Sequence, residues 1–370
     1  MGSDFRARRG LRALVVATVI SLTLGATMAA VSATTPPPTN LQRAQRGAQW
    51  LANQIKHNGG FVKSFGVADS SDTAYAVIGM RAAGVDKPAS DQAIRYLRTR
   101  IGTQLQQSGH DAAGPLAYYI LAAVADNQDP RHFGGTAAQN NLVQRLLATA
   151  RTTGKDAGLF GVQDPSFDGA FREGLALAAL RAAHLDPSNV RVGAALLWLQ
   201  KQQCTNGLWE AYRANTATAC PAANPNTFTG PDTNSSSLAV QGLAAWAQRP
   251  RRSSVIQSLS AVQSSDAGFP FVAAPHQSSD PDSTALVIQA LIAEQSPPSG
   301  TPWVKGTRTP FTALASYQIG CASPGYGAFF FPGNTSPNVF ATVQAVPAMA
   351  GKPLPVASST ATVVIPLTPC

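Results

Sequence analysis

The fold is decided by one stretch of the chain, residues 59–84, which has the sequence GGFVKSFGVADSSDTAYAVIGMRAAG. Its first two glycines predict a tight turn, because glycine adopts positive φ without a steric penalty. The Ala-rich segment at residues 72–83 predicts a helix, which Gly84 ends. Residues 42–55, before the turn, have apolar side chains at helical spacing. The stretch therefore predicts two helices joined by a glycine–aromatic turn and a polar loop.

The same order of features recurs along the chain, and we interpret it as an internal repeat. Each copy has an anchor residue before its second helix, and the anchors are Asp72, Asp111, Asp168, Asp232, Asp282 and Asn338. The copy at Asp111 lacks the aromatic turn. The second helices are apolar around most of their circumference, so they must be covered on nearly every side. Six such pairs predict an all-α fold, an (α/α)6 toroid whose inner layer is formed by the second helices.

The anchor aspartates have a structural explanation. A carboxylate directly before a helix accepts hydrogen bonds from the unpaired N–H groups of the first turn and complements the helix dipole, which contributes about 1 kcal/mol. We therefore interpret Asp72 and Asp282 first as helix caps, and a chemical role for them is the alternative.

The N-terminal segment is typical of an export signal, because several arginines precede an apolar run at residues 13–24 and small residues close it at 31–33. The run is shorter than the roughly 20 residues of a membrane span. An uncleaved anchor is the alternative to a cleaved signal. The predicted organisation is a signal peptide at 1–33, a Pro-rich linker at 34–40, the toroid at 41–351 and a tail at 352–370. The protein is thus expected to be secreted or extracytoplasmic.

Charge and cysteine content limit the function classes. The net charge is +9, but the basic residues are scattered, and nucleic-acid binding needs a basic face or stripe. The four cysteines of an exported chain are expected to pair. We predict one disulfide between Cys204 and Cys220, which flank a loop, and another between Cys321 and Cys370, which ties the tail to the last repeat. No CxxC pair is present, so we expect no zinc site, no other metal and no cofactor.

The repeat resembles that of the prenyltransferase and squalene-cyclase superfamily, which includes terpene cyclases, protein prenyltransferase β-subunits and cobalamin carriers. The resemblance covers roughly residues 41–350. It rests on the Gly-Gly-Phe turn at 59–61, the Asp-x-x-Asp-Thr-Ala run at 69–74 and the stretch DPDSTALVIQAL at 280–291. It implies an α/α toroid around a central cavity, and relatives use that barrel for catalysis, ligand carriage or covalent attachment.

The stretch that begins at Asp280 is similar to the acid motif of squalene–hopene cyclases, an Asp-x-Asp-Asp-Thr-Ala run that protonates an alkene. Asp280 matches the first position and Asp282 matches the proton donor, whereas Ser283 replaces the third aspartate. The resemblance implies that Asp282 is a general acid and that Asp280 orients it. A carboxylic acid can do this only where its neutral form is favoured and aromatic faces stabilise the cation.

Further residues are candidates for lining the cavity or binding a ligand. They are Asp72, Tyr75, Tyr118, Phe171, Trp209, Asp232, Phe269, Phe271 and Phe330. The aromatic residues close to the turns have an alternative role, since they could pack the two helices of a hairpin together.

Three functions remain open. The favoured one is a secreted, monomeric protein that binds an apolar or amphipathic, isoprenoid-like molecule in a single toroid. The alternative is a class II terpene-cyclase-like enzyme with Asp282 as its acid, and the third is a structural module at the cell-envelope surface. Zinc-dependent prenyl transfer is excluded by the absence of an Asp-x-Cys pair, and a thioester by the absence of Cys-Gly-Glu-Gln.

Overall fold

The computed structural model describes residues 37–370 except 138, 163 and 369, so the predicted export segment lies outside the described residues. The outer helices are α1 (Asn40–Asn58), α3 (Lys87–Arg98), α5 (Leu142–Ala148), α7 (Val190–Gln202), α9 (Arg252–Val262) and α11 (Pro310–Ser316). The inner helices are α2 (Ser70–Ala83), α4 (Ala113–Ala125), α6 (Pro165–Ala182), α8 (Thr233–Ala245), α10 (Pro281–Ala293) and α12 (Val339–Met349). Within the described part of the chain, no helix is both long and apolar enough to cross a membrane.

The inner helices form a closed ring. Each packs against the next in chain order, from α2 through α4, α6, α8 and α10 to α12, and α12 returns to α2. Their residues are almost entirely buried, whereas the outer helices bury one face. The prediction of an α/α toroid, with the Ala-rich helices inside, is confirmed.

Small residues let the inner helices approach closely. A Cβ atom at Gly174 of α6 would lie 2.1 Å from the carbonyl oxygen of Leu238 of α8, and one at Gly242 would lie 2.4 Å from the carbonyl oxygen of Gly174. Real side chains cannot occupy that space, so the backbones of α6 and α8 are in direct contact.

Side-chain caps begin several inner helices, at the predicted residues in α8 and α12 but at other residues in α2 and α10. The capping carboxylates of α2, α8 and α10 belong to Asp69, Asp232 and Asp280, which accept hydrogen bonds from backbone N–H groups three residues later (2.8, 2.6 and 2.8 Å). Asn338 caps α12 in the same way. The interpretation of Asp72 and Asp282 as caps was wrong, because both lie inside the first turn of their helices.

The second and third anchors also differ from the prediction. Asp111 lies in a strand and forms an ion pair with Arg145 of α5 at 2.7 Å, and the residue before α4 makes no side-chain cap. In α6 the capping residue is Asp164, and Asp168 follows one turn later, beside a kink at Gly169. In both copies the predicted Asp has a different register relative to the helix start.

Two short hairpins precede inner helices. Strand β1 (Val62–Ser64) pairs antiparallel with β2 (Val67–Asp69) before α2, and β3 (Gln106–Gln107) pairs antiparallel with β4 (His110–Asp111) before α4. A hydroxyl on the next helix fixes the residue that follows the turn. The Thr73 hydroxyl oxygen accepts from the N–H of Val62 (3.1 Å), as the Thr284 oxygen does from Phe269 (3.0 Å).

The C-terminal tail lies against the end of the ring at which the inner helices finish. Gln289 of α10 donates to the carbonyl oxygen of Lys352 (2.8 Å), and the N–H of Leu354 donates to Gln241 of α8 (2.9 Å). Leu354 is almost fully buried. Val363 then forms a single parallel bridge with Val85, so this part of the tail is extended.

Both predicted disulfides are present. The Cα atoms of Cys204 and Cys220 are 5.7 Å apart, and those of Cys321 and Cys370 are 5.3 Å apart. Disulfides are typical of proteins from oxidising, extracytoplasmic compartments. The first bridge holds the loop before α8, and the second fastens the tail to the loop before α12.

Candidate active site

The candidate site is at the end of the toroid where the inner helices begin, which we call the mouth face. Because each inner helix is preceded by an outer helix that runs the opposite way, all the inner helices start at this end. Their dipoles therefore direct partial positive charge towards the mouth face, which favours carboxylates there. Asp72 of α2 and Asp282 of α10 both lie in first turns.

Asp282 is a buried carboxyl group of the mouth face whose pKa is strongly raised. Its side chain is buried, with a residue exposure of 6%, and Oδ1 has no hydrogen-bond partner among the described residues. Burial raises the pKa of Asp282 to about 8, and the negative charges of Asp280 and Asp72 add to the effect. At neutral pH, Asp282 is therefore mostly a neutral carboxylic acid that can donate a proton.

Asp280 has a different position and role. Its carboxylate caps α10, where it accepts a hydrogen bond from the N–H of Ser283 (2.8 Å). Burial is the main cause that raises the pKa of Asp280, and its hydrogen bonds oppose that shift. Asp280 therefore acts on Asp282 through its charge.

Two tyrosines of the inner helices pack against each other. The ring centroids of Tyr75 on α2 and Tyr118 on α4 are 5.3 Å apart. The Tyr75 hydroxyl is 3.5 Å from Oε1 of Gln289 on α10. Since α12 separates α2 from α10 in the ring, this contact runs through the interior of the ring. Burial is the largest cause of the raised pKa of Tyr75, followed by the charges of Tyr118, Asp282 and Asp72, so the tyrosine lies close to both carboxyl groups.

Asp72 completes this cluster. Its Oδ2 accepts a short hydrogen bond from the hydroxyl of Ser64 on β1. Burial raises the pKa of Asp72 to about 6, the hydrogen bond from Ser64 lowers it, and the charge of Asp69 raises it further. The structure thus brings together four of the predicted residues, namely Asp72, Tyr75, Tyr118 and Asp282.

Arg172 is a mouth-face residue that the sequence analysis missed. It follows the half-buried Phe171 on α6, its Nη1 is 3.7 Å from Oδ1 of Asp168, and its guanidinium carbon lies 3.3 Å from the ring centroid of Phe167. Burial lowers the pKa of Arg172, and Asp168 and Tyr118 oppose that shift. An arginine in the first turns of an otherwise Ala-rich inner helix was the available signal.

Three other predicted residues have structural positions. The indole N–H of Trp209 donates to the carbonyl oxygen of Leu199 on α7 (2.8 Å), and Phe269 packs against Trp303 with centroids 6.1 Å apart. Both side chains are fully buried. Asp232 is the cap of α8. These contacts agree with the hairpin-packing alternative for Trp209 and Phe269.

Several phenylalanines lie close to the starts of the inner helices. Phe271 is 40% exposed and pairs with Phe228, while Phe330 packs edge-on against Tyr317. The exposed phenylalanines of the described residues all lie in the loops that lead into the inner helices or in their first turns, and they are Phe65, Phe167, Phe228, Phe271, Phe331 and Phe340. An apolar rim of this kind suits a hydrocarbon chain better than a charged ligand.

Comparison with known proteins supports the fold alone. No protein-family model matches the sequence, and no curated protein does. The structure is similar to that of a type II terpene cyclase variant from Scytonema with geranylgeranyl dihydroxybenzoate (TM-score 0.53, 12% identity, 84% of this chain and 98% of that chain). The fold is a terpene-cyclase-like α/α toroid.

Two further similar structures carry other chemistry on this toroid. One is the protein geranylgeranyltransferase-I of Candida albicans with GGPP (TM-score 0.52, 8% identity, 82% of this chain and 89% of that chain). The other is a substituted form of UGL with dGlcA-Glc-Rha-Glc (TM-score 0.56, 12% identity, 83% of this chain and 95% of that chain). Because one fold serves isoprenoids and sugars alike, the function of this chain must be argued from its own mouth-face residues.

Proposed function

We propose that the protein is an exported, terpene-cyclase-like enzyme in which Asp282 protonates a carbon–carbon double bond of a linear isoprenoid. The observation that carries the proposal is the state of Asp282, which is buried, mostly neutral at pH 7 because its pKa is raised to about 8, and without a partner on Oδ1 among the described residues. Such a group has a proton to give and no described protein acceptor that competes for it.

The surroundings of Asp282 support chemistry through a carbocation. The paired rings of Tyr75 and Tyr118 present π-electron density, which attracts a cation. The carboxylate of Asp72 adds negative charge on the same side. Ser283 replaces one acidic neighbour of the cyclase motif, so in this chain the charge that tunes Asp282 comes from Asp280 and Asp72.

The enzyme is favoured over the carrier that the sequence alone suggested. Capping by Asp282 was the main argument against catalysis, and Asp280 is the cap instead. A single toroid is also long enough for a terpene cyclase, since the structural match covers 98% of the chain of the Scytonema enzyme.

Export is part of the proposal. The arginines and apolar run at residues 6–24 are typical of a signal peptide, and the two disulfides fit an oxidising compartment. The ligand would then be an isoprenoid that reaches the outer side of the membrane, and the apolar rim suits its chain.

The test is turnover by the purified full-length protein with squalene and with geranylgeranyl dihydroxybenzoate as probes. We expect cyclic products from the wild type, and a loss of about 1,000-fold or more in Asp282→Asn, because a positioned general acid contributes rate factors of this order. Asp232→Asn is the matched control. Asp232 is also a buried aspartate of the mouth face with a pKa raised by burial to about 6, but it caps α8.

The outcomes separate the functions. If Asp282→Asn keeps wild-type turnover, Asp282 is not the acid. If the wild type binds a probe with 1:1 stoichiometry and leaves it unchanged, the protein is a carrier. If Asp232→Asn loses as much activity as Asp282→Asn, the loss reflects damage to the mouth face and not removal of an acid.

A further inference from the structure

The mouth face holds a second buried carboxyl group whose environment differs from that of Asp282. Asp72 lies one turn before Tyr75 on α2, whereas Asp282 lies on α10, two positions away in the ring. Tyr75 is near both carboxyl groups, since the charges of Asp72 and Asp282 both act on it. A ligand that lies over the ring of Tyr75 is therefore close to two carboxyl groups, that of Asp72 on α2 and that of Asp282 on α10.

Asp72 is also held differently. The hydroxyl of Ser64 donates to its Oδ2. No described residue donates to Oδ1 of Asp282. Hydrogen bonds to a carboxylate favour its ionised form, so the two groups are prepared for opposite protonation states.

We propose that Asp72 is the base that removes the last proton in the cyclisation, so that Asp282 and Asp72 form an acid–base pair across the mouth face. This inference rests on the proposed function and deepens it, because it assigns the end of the reaction and predicts the class of product.

The step balances without a co-reactant. The Oδ–H proton of Asp282 adds to the terminal double bond, whose π-electron pair forms the new C–H bond, and ring closure moves the positive charge along the chain. At the end, the Asp72 carboxylate takes a proton from the carbon next to the cation. The electron pair of that C–H bond becomes the double bond of the product. The net reaction is an isomerisation, and solvent at the mouth returns the proton from Asp72 to Asp282.

The ionisation of the pair fits these roles. Burial raises the pKa of Asp72 to about 6 and that of Asp282 to about 8, so at pH 7 the first is mostly ionised and the second mostly neutral. The ionisable groups around Asp72 are Asp69 on β2, Tyr75 on its own helix, Tyr118 on α4 and Asp282. Helix α12, which also packs on α2, has no ionisable side chain.

The experiment measures products and the pH dependence of the rate with geranylgeranyl dihydroxybenzoate in water labelled with oxygen-18. For the wild type we expect an unlabelled alkene and a kcat/KM that falls below about pH 6 and above about pH 8. In Asp72→Asn, we expect a rate about 100-fold lower, labelled alcohol from capture of the cation by water, and loss of the acidic limb. Asp72→Glu should recover part of the alkene.

The control is Asp69→Asn, which alters the cap of the same helix and should leave the product unchanged. An unlabelled alkene and an intact acidic limb in Asp72→Asn would overturn the assignment of Asp72, while a dead Asp282→Asn would still support the proposed function. Carbon-13 NMR titration of the free wild type gives a test without substrate. If Asp72 is still protonated at pH 7, it cannot be the base, whatever Asp282 does.

Discussion

Helices α8 and α10 begin in nearly the same way and differ at one position that matters for chemistry. Helix α8 begins after the cap Asp232 with the sequence TNSS, and α10 begins after the cap Asp280 with PDST. In both, a hydroxyl four residues after the cap accepts from the backbone N–H of the aromatic residue in the preceding turn, Trp209 or Phe269. Two residues after the cap, α8 has Asn234 and α10 has Asp282.

The difference between Asn234 and Asp282 distinguishes the residues that begin a helix from the residue that is available for chemistry. The cap and the hydroxyl are sufficient to begin an inner helix at the mouth face, because α8 is complete with them and has an amide at the variable position. Asp282 is therefore not needed for folding. Its burial without a partner on Oδ1 among the described residues has a cost in stability, and a perturbed carboxyl group that the helix start does not need is typical of a functional site.

The largest expected effect is the pH dependence of stability that Asp282 introduces into α10. Its pKa of about 8 in the folded protein is above the value of 3.8 for an unperturbed Asp. The folded state therefore binds more protons than the unfolded state between these values, and the free energy of unfolding falls as pH rises from about 4 to about 8. Compared with the wild type, Asp282→Asn should gain on the order of 4 kcal/mol across this window.

Urea unfolding of both proteins at pH 4 and at pH 8 measures this effect, with Asp232→Asn as the control from α8. Parallel pH profiles of wild type and Asp282→Asn would contradict the burial of a neutral Asp282.

The second effect concerns the contact of α8 with α6, which α10 does not share. Gly242 and Ala290 occupy the same position, ten residues after their caps. A Cβ at Gly242 would meet the backbone of Gly174 at 2.4 Å, so Gly242→Ala should destabilise the protein by about 3 kcal/mol. The reverse change, Ala290→Gly, should cost about 1 kcal/mol through helix propensity. Equal thermal shifts for the two variants would show that the α6–α8 contact is not tighter than its neighbours.

The third effect tests the shared part of the two helices. Asp232→Ala and Asp280→Ala each remove a carboxylate that accepts from the first turn, so each should lower stability by about 1 kcal/mol. Calorimetric unfolding at pH 7 is the measurement. If only Asp280→Ala destabilises the protein, the two helix starts are not equivalent and the comparison fails.

The sequence predicted the toroid because its periodicity is a local property that burial enforces. Ala-rich helices, glycine turns and six recurring anchors determine which face of each segment must be covered, and the ring in the structure follows from that. The disulfide pairs were also predictable from local sequence, because their cysteines flank loops or lie at the end of the chain.

The candidate site was less predictable, because capping depends on register. Asp72 and Asp282 have the sequence context of caps, and only the folded structure places the cap three or two residues earlier, at Asp69 and Asp280. The tertiary structure also determines which aromatic residues lie at the mouth face. Trp209 and Phe271 both lie near a turn, yet one packs under the helices and the other is on the rim.

The smallest expected effect comes from moving the acid of α10 onto α8, in the double variant Asn234→Asp with Asp282→Asn. Asn234 is partly exposed, whereas Asp282 is buried, so an aspartate at 234 keeps much of its hydration and stays ionised at pH 7. Stability should change by less than about 1 kcal/mol relative to Asp282→Asn alone. Turnover should not return, because an ionised carboxylate far from Tyr75 has neither the proton nor the aromatic neighbours of Asp282. Recovered turnover of squalene would mean that an acid anywhere on the mouth face is sufficient, and that the pairing of Asp282 with the tyrosines is not required.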